Sequence, residues 1–171
     1  MSQVISRGLE GVVVDSSSIS KVMPEINSLV YWGYTVQDLA ENCTFEEVSY
    51  LLWNGELPNP KQLEEFKKFE RSNRAISDGL MKSIRLFPKT AHPMDTIRSC
   101  VSYLGMEDLE SWTQDPKINL DRSMKMLAKI PTMIAADYRC RKGLEPIAPK
   151  PELSISENFF HMCFGKVPSP E

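Results

Sequence analysis

The residues able to carry chemistry are few and scattered. Only two histidines occur, His92 and His161. His92 stands directly before Pro93 at the head of an apolar-periodic run, which reads as a turn or cap residue rather than a general base. His161 lies inside "NFFHMCF", where a packing role is the simpler reading. Ser16, Ser17 and Ser18 form a polar turn with no base beside them to activate a hydroxyl. The carboxylate pairs Glu46–Glu47 and Glu64–Glu65 fall on helical stretches among charged neighbours and read as surface charge. Cys140, His161 and Cys163 suggest metal ligands, but no fourth ligand follows at a usual spacing, and buried thiols explain them better. No G-x-S-x-G, phosphate-binding loop or G-x-G-x-x-G is present. Arg7 in "RGLEG" is different in kind. A glycine-punctuated backbone lets a phosphate approach and a guanidinium pair with it, although an exposed arginine near the chain start gives the same letters. From the residues alone no catalytic residue is assigned, no metal is assigned, and no reaction is named.

The elements that would position these residues are mainly helices. "GLEGVVVDSSSISKV" and "SLVYWGY" are strand-like, with Val12, Val13 and Val14 β-branched, and predict a small β-hairpin or meander over 1–34. Residues 35–171 read as one helical unit. Thr44 and Glu47 form a capping box before "VSYLLW", and Gly55 ends that helix. Asn59 caps the next helix with Pro60 at its first position. Ser77 opens "DGLMKSIRLF". A helix over 93–104 follows His92, with Gly105 at its end. A long helix over 119–142 takes Asn119 as its cap and would span about 36 Å. Ser154 and Glu157 form a further capping box before "NFFHMCF" and Gly165.

The long helix is the physical centre of this reading. Leu127, Ile130, Ile134 and Tyr138 make a stripe of large residues at helical spacing. Ala128, Thr132, Ala135 and Ala136 make a second stripe of small ones. A helix apolar on several faces is surrounded. Either the domain encloses it, or one face meets the core and the small stripe meets a second subunit, in which case Ala135→Arg would disrupt self-association. Pro131 removes one N–H and predicts a bend near 127–131.

The totals fit a folded domain. The 171 residues are 42% hydrophobic and 25% charged, ordinary globular values. A net charge of −3 argues against a nucleic-acid partner. No apolar run reaches the ~20 residues of a membrane span, and the start lacks a signal-peptide core. The four cysteines, with no CxxC spacing, fit a reducing compartment and a cytoplasmic protein. The end, "KVPSPE", closes no element and reads as an interior point of a longer protein.

Taken in order, "RGLEGVVVDSSSISKV", "GYTVQDLAENCTFEEVSYLLWNGELP", "HPMDTIRSCVSYLG", "AKIPTMIAADYR" and "GLEPIAPKPELSISENFFHMCFG" resemble the N-terminal part of the citrate synthase family, of the compact bacterial type. One departure is Trp32 in "YWGY", where the family usually has an arginine. The resemblance implies a mostly α, multi-helical fragment of the family's large domain with a short N-terminal β-hairpin. It implies an enzyme condensing oxaloacetate with acetyl-CoA to citrate and CoA, with acetyl-CoA as co-substrate and no further cofactor. The 2-methylcitrate synthases, which use propionyl-CoA, are the alternative within the class, and a non-catalytic helical dimerisation module is the alternative outside it.

In the family a catalytic aspartate removes a proton next to the thioester carbonyl, and histidines stabilise the enol and assist attack on oxaloacetate. None of those motifs matches a position in this chain, so the chain alone is expected to be inactive. Arg7 matches the position where the family sets an arginine against CoA phosphates. The helices over 93–104 and 119–142 match a pair used in the family's homodimer interface.

Overall fold

The computed structural model describes residues 7–167. Its contacts divide the chain into two units, 1–57 and 58–171. The boundary drawn from sequence lies at 34/35; in the structure the first two helices fall with the strands.

The first unit holds an antiparallel sheet of β1 (Ser20–Met23), β2 (Ser28–Tyr31) and β3 (Tyr34–Thr35), in that spatial order. It is a meander, built as expected on "SLVYWGY". Trp32 and Gly33 make the two-residue turn between β2 and β3, with φ of 48° and 91°. A hairpin turn with both central residues left-handed matches the strands' own twist, and glycine is the residue that adopts it freely. The non-glycine Trp32 is held there by tertiary contacts. Its indole Nε1–H donates to the Leu52 carbonyl at 3.3 Å, and its ring lies against Gly55. Trp32 thus covers the end of a helix, a role that its place in the sequence does not disclose.

Val12, Val13 and Val14 were expected in a strand and are in none. All three are exposed, Val13 at 89%. Strand propensity needs a partner strand and a face to bury, and the ladder begins only at Ser20. After the sheet, α1 (Val36–Asn42) is capped by Thr35 and α2 (Phe45–Asn54) by the Thr44–Glu47 box, ending at left-handed Gly55. Glu46, read as surface charge, is buried at 5% exposure.

The second unit is helical: α3 (Pro60–Ser72), α4 (Asp78–Leu86), α5 (Pro93–Glu107), α6 (Pro116–Arg141) and α7 (Ile155–Phe164). The caps at Asn59, Ser77, His92 and Ser154 are those read from sequence. Two boundaries differ. Gly105 lies inside α5, which runs on to Glu107. The cap of α6 is Asp115, whose carboxylate accepts from the amides of Lys117 and Ile118 at 2.8 and 3.1 Å. Asn119 therefore sits one turn inside a 26-residue helix, about 39 Å long. The helix continues as one element through Pro131.

Packing surrounds α6 on two sides. Met133, Ala136 and Cys140 pack with Leu80 and Ile84 of α4 and Cys100 of α5. Ala135 packs with Met162 and Cys163 of α7. The small-residue stripe is thus enclosed by this chain itself, Ala136 against α4 and α5 and Ala135 against α7, which is the first of the two alternatives read from sequence. Ala128, Thr132, Ala135 and Ala136 are all buried, while Ile134 and Tyr138 of the large stripe are over one-third exposed. Small side chains let α7 come close to α6, so burial follows size here rather than hydrophobicity.

A buried ion pair ties these helices together. Arg74, 2% exposed, donates from Nε and a terminal nitrogen to the two carboxylate oxygens of Glu70 at 2.8 and 2.6 Å. Its other terminal nitrogen donates to the Lys150 carbonyl at 2.7 Å. The Thr132 hydroxyl of α6 donates to the Arg74 carbonyl, and the Lys150 amide donates to the Asn158 side chain of α7. Removing one member of a buried pair strands the other's charge. Glu70→Ala is expected to lower unfolding stability by about 3–5 kcal/mol, measured by urea titration.

Candidate functional site

Arg7 stands at the start of a short 3-10 turn, Arg7–Leu9. Gly8 and Gly11 are left-handed, with φ of 63° and 73°, so the glycines of "RGLEG" are used for backbone shape. Arg7 is exposed, and its guanidinium meets no hydrogen-bond or ion-pair partner among the described residues. A charged fork held in water beside a glycine-bent backbone is able to donate two parallel N–H bonds to a phosphate.

The remaining candidates separate rather than converge. His92 is the α5 cap, its Nδ1 accepting from the Met94 amide at 3.2 Å. His161 sits half-buried on α7, next to the buried Met162 and Cys163. Cys140 belongs to the α4–α5–α6 cluster and Cys163 to the α6–α7 cluster, so the imagined ligand set is not assembled. Among the described residues no three His, Cys, Asp or Glu side chains are grouped to hold a metal ion. No helix of the described residues is long and apolar enough to cross a membrane. All four cysteines are free thiols.

The α5–α6 face carries a cleft. It opens to about 540 Å³ between the two helices, with Val101, Leu104, Ile118 and Met126 as apolar walls. Over one end lies the connection between the helices, which has its own turn bonds and is braced by Arg122. Arg122 donates to the Asp108 carboxylate at 2.6 Å, to the Thr113 carbonyl and the Asn119 side chain at 3.0 Å each, and to the Glu110 carbonyl. The guanidinium holds the Asp108 carboxyl below the usual carboxylate range. Lys129, which lines the cleft and donates to the Ala75 carbonyl, has its ammonium pKa lowered by burial. Sequence reasoning missed this clamp; Asp115-Pro116 repeats the Asn59-Pro60 cap signature and would have placed the helix start correctly.

Burial also sets the thiols. Desolvation, helped by the nearby Asp137 charge, pushes the Cys100 thiol up to about 11. A folded-state value above the ordinary 9.0 stabilises the fold below that pH. The contribution is lost as pH rises from about 9 towards 11, because the unfolded chain ionises first. The urea midpoint should therefore fall across that interval, and Cys100→Ala should flatten part of the fall.

Residues 8–171 match the family model described as "Citrate synthase, C-terminal domain". The citrate synthase of Mycolicibacterium smegmatis is 50% identical over 166 residues, covering 97% of this chain and 44% of that protein. The 2-methylcitrate synthase of Mycobacterium tuberculosis (strain ATCC 25618 / H37Rv) is 48% identical over 164 residues, covering 96% of this chain and 41% of that protein. The crystal structure of citrate synthase from Pyrobaculum aerophilum superposes with a TM-score of 0.89 at 33% identity, covering 97% of this chain and 44% of that one. The chain thus spans less than half the length of these relatives.

Proposed function

The chain belongs to the citrate synthase family, and from that premise we propose that it is the N-terminal portion of an enzyme condensing oxaloacetate with acetyl-CoA to citrate and CoA. The observation that carries this is the 50% identity to a citrate synthase, sustained over 97% of the chain. A second reading has its own support. The 48% identity to a 2-methylcitrate synthase is nearly as high, so propionyl-CoA is the alternative acyl donor.

In either case these residues supply scaffold and binding, and the proton abstraction is done elsewhere in the enzyme. His92 is occupied as a cap, and His161 lies on a helix of the core. Arg7 is the residue assigned to the co-substrate. Its exposure and its glycine-bent backbone suit the phosphates of CoA, which the acetyl and propionyl donors share. No resident cofactor is assigned. Two copies pair through α5 and α6, on which Met94, Met106 and Leu120 remain exposed. The four free thiols support placement in a reducing cytoplasm.

The test is CoA release with oxaloacetate, followed with a thiol reagent, for the enzyme that carries this chain. Acetyl-CoA turnover well above propionyl-CoA turnover supports the first reading and the reverse supports the second, while release from neither donor overturns both. The 171-residue chain alone should release none above background. Arg7→Ala should raise KM for the acyl-CoA by about tenfold, the range of one charge-assisted hydrogen bond, and leave kcat and the KM for oxaloacetate unchanged.

A further inference from the structure

We draw no further inference here: the strongest candidate, the exposed aromatic patch that Tyr138 of α6 forms with Phe160 and Phe164 of α7, is an unpartnered apolar face, and nothing in the structure shows what covers it.

Discussion

The second unit depends on one buried charge being fully satisfied. Arg74 is 2% exposed, and taking a guanidinium out of water costs several kcal/mol unless its donors are met. Here they are met from two directions, by both oxygens of Glu70 and by the Lys150 carbonyl. Those partners come from α3 and from the proline-bearing segment before α7. The Arg74 backbone carbonyl in turn accepts the Thr132 hydroxyl of α6. Three helices and a linker without regular structure are thereby fixed by directional bonds where apolar contact alone would allow sliding. Among the described residues no buried side-chain polar atom is left without a partner, so the charge is accommodated without an orphan.

That arrangement explains how much of the fold was legible in the sequence. Local signals were. The capping boxes at Thr44–Glu47 and Ser154–Glu157 rest on residues three apart, and both form. The start of α6 was misplaced because Asn119 and Asp115 are both good caps, and only Asp115 is followed by proline at the first helical position. Long-range roles were hidden. Glu70 and Arg74 stand four apart, and spacing shows adjacency but says nothing of burial. Val12 to Val14 failed in the opposite way, strand-like letters with no strand to join.

The functional part was legible to a different depth. Arg7 was noticeable through its neighbouring glycines, and Gly8 and Gly11 are left-handed in the structure. The α5–α6 cleft and its Arg122 clamp were not, because the clamp joins Asp108, Glu110, Thr113 and Asn119 to one guanidinium across an irregular loop with no periodicity to read. The near-equal identity to a citrate synthase and to a 2-methylcitrate synthase fits a chain whose conspicuous features are caps, ion pairs and packing.

The position of α6 has a consequence for how this unit comes apart. Met133 and Ala135 are two residues apart on one helix, yet they belong to different apolar clusters, one with α4 and α5 and the other with α7. Opening either cluster exposes a face of the same helix. Partial opening is cheapest where an element contacts one neighbour only, and α6 has no such end across its buried stretch from Ala128 to Cys140. Slow-exchanging amides should concentrate there.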